Sequence, residues 1–296
     1  MIETRPTAPV PAGADPAAPA RGQAIETTVI QPSSGWQPLD LAELWRYREL
    51  LYYLAWRDVK VRYKQTALGA AWAILQPLLA MAVFTLFFGR LVNVPSDGLP
   101  YPLFAFAGLL PWTYFANAVA SAGSSLVTNT NLISKVYFPR LLVPLSGVLS
   151  GLVDFAIGLG VLILLLFVFG LPPGVGVLLA PIPALFAVAT ALAVSVWLAA
   201  LDVQYRDVRY ATPFLLQVWL FATPVVYPAS IVPEPYRPLL GLNPMAGVVE
   251  GFRWLVLSRG SAPGPELFVS ALTVLVLLVS GLYYFRRVER RFADII

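Results

Sequence analysis

Long stretches without a charged residue dominate the pattern of apolar and polar positions along the chain. Residues 98–134 and 155–201 contain no Asp, Glu, Lys or Arg. A helix crosses the hydrocarbon core of a bilayer with about 20 apolar residues, so each stretch is long enough for at least one crossing. The predicted fold is therefore an all-α integral membrane protein. Its six predicted transmembrane helices lie at residues 70–92, 101–122, 141–169, 178–201, 211–228 and 267–285.

The segment before the first predicted span is amphipathic. As a helix over residues 41–64, it carries apolar side chains on one face. The opposite face is basic and carries Arg46, Arg57, Lys60 and Lys64. Asp58 and Arg62 interrupt the apolar face, and their spacing of four residues predicts an ion pair between them. This pattern is typical of a helix in the membrane interface, although a merely positive flank of the first span would carry similar residues.

Three parts of the chain follow from these patterns. Residues 1–36 are rich in Pro, Ala, Gly and Thr and lack apolar periodicity, which predicts a disordered tail to which we assign no role. Residues 37–66 form the predicted cytoplasmic interfacial helix. Residues 67–296 form the predicted six-span transmembrane domain.

The region between the fifth and sixth predicted spans contains an apolar segment that is too short to cross a bilayer. Residues 245–257 are mostly apolar but include Glu250 and Arg253. Such a segment suits a short re-entrant or interfacial helix, which is tolerated at membrane depth only where protein or a water-filled cavity shelters it. Asn243 followed by Pro244 predicts the N-cap and first turn of this helix.

The distribution of Lys and Arg predicts the orientation of the spans. With an internal N-terminus, only four of the 20 Lys and Arg residues fall in outside segments. These four are Arg90, Arg237, Arg253 and Arg259. Cytoplasmic loops carry an excess of positive residues, so both termini are predicted to be cytoplasmic and the re-entrant segment periplasmic.

Composition excludes several classes of chemistry. The chain is 58% hydrophobic and has no Cys and no His, which removes thiolate nucleophiles, imidazole bases and the usual zinc ligands. It also lacks the glycine-rich phosphate-binding loop of ATP-hydrolysing proteins. The sequence therefore predicts no catalytic site, metal or cofactor in this chain. Asp154 is the only charge in the interior of a predicted span, and a hydrogen-bonded packing carboxylate is favoured over a proton or ion relay, which normally uses several such groups.

Aromatic residues crowd the second predicted span. They include Phe104, Trp112, Tyr114 and Phe115. One interpretation is the aromatic belt at the membrane interface, but these residues extend over three turns. The other is the wall of a pore along which sugar rings slide, because aromatic faces offer apolar contact without strong directional trapping.

Five separated blocks of the sequence resemble the membrane subunits of ABC-2-type exporters for cell-surface polysaccharides, which include O-antigen, capsule and teichoic-acid exporters. The blocks are residues 56–78, 109–155, 204–228, 242–257 and 285–296, in the family's order. The resemblance implies a homodimer of six-span subunits in the bacterial inner membrane. It implies a separate ATP-binding subunit that holds ATP and Mg²⁺, and a glycan linked to a polyprenyl diphosphate as substrate. Membrane lipid is an expected partner, and nucleic acid is not.

The resemblance also implies roles for particular residues. Contact with the ATP-binding subunit falls on the loop after the second span, at Lys135, Tyr137, Phe138, Pro139 and Arg140. We also predict that the loop after the fourth span assists this contact, at Tyr205, Arg206 and Asp207. A gate near the periplasmic exit falls on Asn243, Pro244, Glu250, Arg253 and Trp254. We further predict that the lipid-linked substrate binds Arg57, Lys60, Arg62 and Lys64 through its diphosphate, and that its glycan contacts Phe104, Trp112, Tyr114 and Phe115.

Other functional classes fit the sequence less well. A secondary carrier would need more ionisable groups inside the membrane or an internal repeat, and a membrane-embedded lipid-modifying enzyme would need clustered acids, His or Cys. An ABC-2 permease that exports small drugs or lipids is the closest alternative. Among polysaccharide exporters, the O-antigen type is preferred.

Overall fold

The structure is a computed structural model that describes residues 41–64, 71–258, 264–289 and 292. The predicted tail at residues 1–36 lies outside the described residues. Within them the chain is α-helical and contains no β-strand. The first half comprises α1 (Leu41–Arg46), α2 (Arg48–Lys64), α3 (Ala71–Phe84), α4 (Tyr101–Gly123), α5 (Ser125–Thr128), α6 (Thr130–Lys135), α7 (Leu142–Ser150) and α8 (Leu152–Val168). The second half comprises α9 (Pro181–Gln204), α10 (Val208–Ala222), α11 (Arg237–Leu240), α12 (Pro244–Leu257) and α13 (Glu266–Glu289).

Five helical segments are long and apolar enough to cross a membrane, which confirms the predicted class of all-α membrane protein. They are Ala71–Leu91, in which α3 continues as a π-helix, Tyr101–Gly123, Leu142–Val168, Val175–Gln204 and Glu266–Glu289.

The fifth predicted span, residues 211–228, is helical only as far as Ala222. The 15 residues of α10 extend about 22 Å at 1.5 Å per residue, which is less than the roughly 30 Å of hydrocarbon. The chain then turns through residues 223–228. The described residues thus contain five helical segments of spanning length, whereas α10 is shorter, and the sixth crossing stays a prediction.

Helix α4 forms the centre of the fold. Most of its residues are buried, and it packs against α3, α7, α8, α9 and α12. Gly147 in α7 and Gly151 at its C-terminal end allow α4 to approach closely. A Cβ on Gly147 would lie 3.0 Å from the Cα of Ala122. A Cβ on Gly151 would lie 3.2 Å from the Tyr114 ring. Small residues commonly allow membrane helices to approach each other in this way.

The short helix α12 is sheltered by protein. Most of its 14 residues are buried, and it packs against α4, α9 and α13. Asn243 caps it as predicted, since its side-chain Oδ1 accepts a hydrogen bond from the Met245 backbone N–H at 3.1 Å, with Pro244 in the first turn. A short helix that does not span is tolerated at membrane depth when protein surrounds it, and the burial of α12 meets this requirement.

The amphipathic helix α2 lies against α7. Leu54 and Val59 on its apolar face are buried, and Leu54 belongs to a hydrophobic cluster that includes residues of α9 and α13. The opposite face of α1 and α2 exposes large aromatic side chains, including Trp45, Tyr53 and Trp56. A helix that packs on one side and exposes Trp and Tyr beside basic residues on the other is typical of the membrane interface.

Candidate functional site

The exposed face of α2 forms a shallow groove of about 530 Å³. We call it the outer groove, and its lining residues are Tyr53, Trp56, Arg57, Lys60, Val61 and Lys64. The Lys60 ammonium lies 5.9 Å from the centre of the Trp56 ring, within the range of a cation–π contact. The outer groove therefore combines positive charge with aromatic surface, which suits an anionic group attached to an apolar molecule.

The charged residues of α2 pair differently from the sequence prediction. Asp58 does not pair with Arg62 and instead accepts from Arg57, whose Nη2 lies 2.8 Å from its Oδ1. Arg57 Nη2 also donates to the Asn129 side chain at 2.9 Å. The predicted Asp58–Arg62 pair is wrong because Arg62 finds a carboxylate on another helix. Of the four predicted substrate cations, three line the outer groove and Arg62 lies elsewhere.

Arg62 and its neighbour Tyr63 both bind Asp154 of α8. The Arg62 guanidinium donates to Asp154 Oδ2, and the Tyr63 hydroxyl donates to Asp154 Oδ1. Partial burial and the bond to this carboxylate raise the pKa of Tyr63 to about 12, so the phenol remains a donor at physiological pH. Asp154 is a hydrogen-bonded carboxylate as predicted, and it fastens the interfacial helix to the transmembrane domain.

The Arg62–Tyr63–Asp154 cluster stands at the edge of a cavity of about 510 Å³ between α2, α3, α4 and α8. We call this cavity the inner cleft. Its polar lining residues are Arg62, Tyr63, Gln76, Thr113, Asn117, Ser121 and Asp154. Its apolar and aromatic lining includes Trp72, Pro77, Leu110, Tyr114 and Phe155. The sequence analysis missed this cleft, although three of its polar residues recur every four positions along α4, as residues on one helical face do.

The four aromatic residues predicted to contact glycan lie in the interior of the chain. Each is at most 5% exposed. The Phe115 ring packs edge-on against Trp219 of α10 at 5.2 Å, and the Tyr114 ring packs edge-on against Phe155 of α8 at 5.7 Å. In the single chain these rings mainly contact protein, and Tyr114 also borders the inner cleft. Their contact with a substrate stays a prediction.

The connector between α6 and α7 presents a few of its predicted contact residues outward. Lys135 and Tyr137 are exposed, and Tyr137 keeps 68% of its surface. Phe138 and Pro139 are buried instead. Arg140 donates to the Glu289 carbonyl at the end of α13. The buried and bonded residues fix the connector to the domain, so its exposed tip has a defined position.

The connector between α9 and α10 is also exposed, at Tyr205, Arg206 and Asp207. A neighbouring ion pair supports it, in which Arg209 Nη2 lies 3.2 Å from Oδ2 of the buried Asp202. The sequence analysis did not single out this pair. Asp202 and Arg209 lie at the two ends of the connector. This placement of opposite charges is the signal from which the ion pair could have been inferred.

The residues predicted to form a periplasmic gate tie α12 to α4 and to the end of α10. Arg253 is buried and donates to the Pro224 carbonyl at 2.6 Å and to the Phe104 carbonyl at 3.3 Å. It also donates to the Val225 carbonyl and lies 3.2 Å from Glu250. Its guanidinium carbon lies 3.7 Å from the centre of the Phe104 ring.

Asn243 makes a second tie between α12 and α10. Its Oδ1 accepts from the Trp219 indole at 2.8 Å, and its Nδ2 lies 2.9 Å from the Thr223 hydroxyl. Pro244 is buried, whereas Trp254 is partly exposed. The structure thus brings four of the five predicted gate residues into one packed region. Whether this region opens as a gate stays a prediction.

Comparison with known proteins places this fold in a family. Residues 49–257 match the ABC-2 type transporter family. The chain is 34% identical over 256 residues to the O-antigen export system permease protein RfbA of Myxococcus xanthus, which covers 85% of this chain and 97% of that protein. It is 29% identical to the protein of the same name from Klebsiella pneumoniae, over 84% of this chain and 95% of that one. It is 23% identical to the polysialic acid transport protein KpsM of Escherichia coli, over 79% and 91%. The chain therefore belongs to the ABC-2 type transporter family of membrane proteins.

Proposed function

We propose that the chain is the membrane subunit of an ABC transporter that exports a cell-surface polysaccharide of the O-antigen class. The observation that carries the proposal is the match to O-antigen export permeases, which extends over 97% of the relative from Myxococcus xanthus at 34% identity. The capsule-type relative named for polysialic acid transport is less similar, at 23% identity.

The proposed substrate is a glycan linked to a polyprenyl diphosphate, and the outer groove supports this chemistry. Among the residues that the structure describes, Lys60 and Lys64 in the groove form no ion pair with a carboxylate, whereas Arg57 is paired with Asp58. Cations near headgroup level attract phosphate groups, at about 1 kcal/mol for each residue. Trp56 and Tyr53 beside them offer apolar surface for the adjoining part of the lipid.

A separate subunit supplies ATP hydrolysis in this proposal. The chain has no phosphate-binding loop of its own, so ATP and Mg²⁺ would be held by that partner. The exposed tips of the two connectors, at Tyr137 and at Tyr205, support docking of a soluble protein at this side. Because buried Phe138 and Pro139 anchor the first connector, movement of the partner would be transmitted to α7.

The proposed assembly is a homodimer in the bacterial inner membrane, with both termini cytoplasmic. Helix α3 supports a second subunit, since Pro77 is its only buried residue and Leu79 and Val83 remain exposed. Lipid or a second copy must cover this apolar face. Co-purification of two differently tagged copies is expected, and consistent recovery of only one tag would contradict the homodimer.

The proposed function is tested by deleting the gene and measuring surface glycan. We expect the deletion strain to lose long surface glycan and to accumulate lipid-linked glycan inside the cell, and we expect the intact gene to restore export. Unchanged surface glycan after deletion would overturn the proposal. Loss of resistance to small apolar drugs with normal surface glycan would instead support the alternative permease function.

A further inference from the structure

The inner cleft offers polar groups that the folded chain itself leaves unused. Thr113, Asn117 and Ser121 form one stripe of α4, and Gln76 of α3 lines the same cleft. Among the described residues, the amide groups of Gln76 and Asn117 form no hydrogen bond to protein. Amides carry both donors and acceptors, so they can bind a ligand whose groups also do both, such as a hydroxyl.

Aromatic surface stands beside these polar groups. Trp72 lies on the cleft and is 48% exposed, on a helix of which Pro77 is the only buried residue. An exposed indole next to amides and hydroxyls matches a ligand that has both apolar C–H surface and polar edges. A sugar ring has this character, because its faces carry C–H groups and its rim carries hydroxyls.

The charge of the inner cleft differs from that of the outer groove. Arg62 neutralises Asp154, and Tyr63 adds a neutral donor to the same carboxylate. The outer groove instead carries Lys60 and Lys64. An anionic group is therefore favoured on the outside of α2, whereas a neutral ligand is favoured on the inside.

The volume of the inner cleft limits the ligand's size. At about 510 Å³ it falls within the roughly 300–1,000 Å³ of ordinary small-molecule sites. The cleft therefore suits a short segment of a glycan rather than a long chain. Its position directly behind the outer groove would place such a segment near a diphosphate bound to the other face of α2.

We propose that the inner cleft binds uncharged sugar residues of the exported glycan, with Trp72 as the stacking surface and Asn117 and Gln76 as hydrogen-bonding partners. This inference rests on the proposed export function. It gives the substrate two adjoining subsites, one for its anionic headgroup and one for its neutral sugars.

Photocrosslinking in cells that carry the complete transporter tests the inference. The photoreactive residue p-benzoylphenylalanine replaces Asn117 in one variant and the exposed Val279 of α13 in a control variant. Export is stalled with an inactive ATP-binding subunit so that glycan remains in the transporter. The probe is the cell's own glycan, detected on the purified chain by periodate oxidation of its vicinal diols and coupling to a fluorescent hydrazide.

We expect a glycan adduct at position 117 at least about tenfold above that at position 279, which corresponds to about 1.4 kcal/mol in occupancy. An adduct at 117 that contains lipid but no glycan, while a photoreactive residue at Lys60 captures glycan-bearing lipid, would overturn the cleft assignment and leave the export function intact. Surface glycan that persists after gene deletion would overturn both.

A substitution series at Trp72 provides a second test. It does not depend on whether the variant at position 117 folds. Trp72→Phe keeps an aromatic face, whereas Trp72→Ala removes it. We expect Trp72→Ala to lower the glycan export rate at least about fivefold at equal membrane abundance, and Trp72→Phe to retain most of it. Equal export by the two variants and by the wild type would overturn the role of Trp72 and, with it, the sugar subsite.

Discussion

Basic residues that lie within two turns of α2 have different environments. The helical period places Lys60 and Lys64 on one face and Arg62 on another, and the structure agrees with that division. The partner of Arg62 could not be predicted in the same way. Asp154 is 92 positions away along the chain, so only the packing of α2 on the transmembrane domain brings it close. The spacing of residues along a helix predicts the face on which each one lies, whereas tertiary contacts decide which ion pairs form.

Neutralising the outer groove should weaken binding of the anionic headgroup. In the variant Lys60→Gln/Lys64→Gln, two cations of about 1 kcal/mol each are lost, so we expect roughly 30-fold weaker binding of a polyprenyl diphosphate to the purified protein in nanodiscs. Binding is measured by titration at low ionic strength, because salt screens exposed charges.

Two variants control for charge and for general effects on the protein. Lys60→Arg/Lys64→Arg keeps both charges, and Arg90→Gln removes an exposed cation at the other end of the first span. Both should bind as the wild type does. An Arg90 variant that weakens binding as much as the double lysine variant would refute a specific headgroup site.

Arg253 should be more important for stability than its exposed neighbour. Arg253→Ala leaves three backbone carbonyls without their donor, at about 1–3 kcal/mol for each buried acceptor. We expect a loss of at least about 3 kcal/mol in the free energy of unfolding, measured by denaturant titration in detergent micelles. Trp254→Ala, at a partly exposed position on the same helix, serves as the control. Equal stability of the two variants would contradict the account.

At the level of elements, α10 shows where hydropathy alone misplaces a helix end. Residues 223–228 are mostly apolar, so the sequence pattern extends the fifth span through them. The helix stops at Ala222 because Thr223 precedes Pro224, and a residue before proline avoids the α conformation. Thr223 is accordingly extended, with ψ near 141°. Arg253 then donates hydrogen bonds to the Pro224 and Val225 carbonyls beyond the helix end, a contact that no local pattern indicates.

The short helix α12 was easier to predict, because its signals are local. Asn243 and Pro244 mark its beginning, and its length excludes a crossing. Its burial against α4, α9 and α13 follows from the apolar composition of a helix that cannot span. Its ties to α10 through Asn243 needed the structure.

The connector between α6 and α7 should meet the ATP-binding subunit through its tip. We expect p-benzoylphenylalanine in place of Tyr137 to form a covalent adduct with that subunit in cells, detected by mass shift and immunoblot. Position 137 is preferable to Phe138, which is buried. Val175, exposed between the third and fourth predicted spans, provides a control on the opposite side of the predicted membrane. An adduct from position 175 and none from position 137 would reverse the proposed docking side.

At the scale of the whole molecule, the sequence predicted the class of the fold but not which span is central. All spans are apolar, and hydropathy does not distinguish a side chain that faces lipid from one that faces protein. The aromatic side chains of α4 are packed inside the chain, whereas α3 exposes nearly all of its residues. Small residues such as Gly147 allow the close packing around α4, but similar residues occur in many membrane helices.

The roles of the two faces of α2 can also be inferred only from the whole fold. The outer groove could be anticipated from the basic stripe. The inner cleft requires α3, α4 and α8 to surround the opposite face, so its lining residues are scattered from Arg62 to Gly158. A site assembled in this way leaves only weak local signals in the sequence.

The most direct test of the account is the side of the membrane on which each connector lies. The chain has no natural cysteine, so single cysteines at Tyr137, Tyr205 and Ile231 can be labelled without background. The three positions are exposed in the structure. A membrane-impermeant maleimide applied to intact spheroplasts should label position 231 only, and positions 137 and 205 should react after lysis. Labelling of positions 205 and 231 from the same side would show that α10 does not cross, and would contradict both the six-span topology and the proposed docking surface.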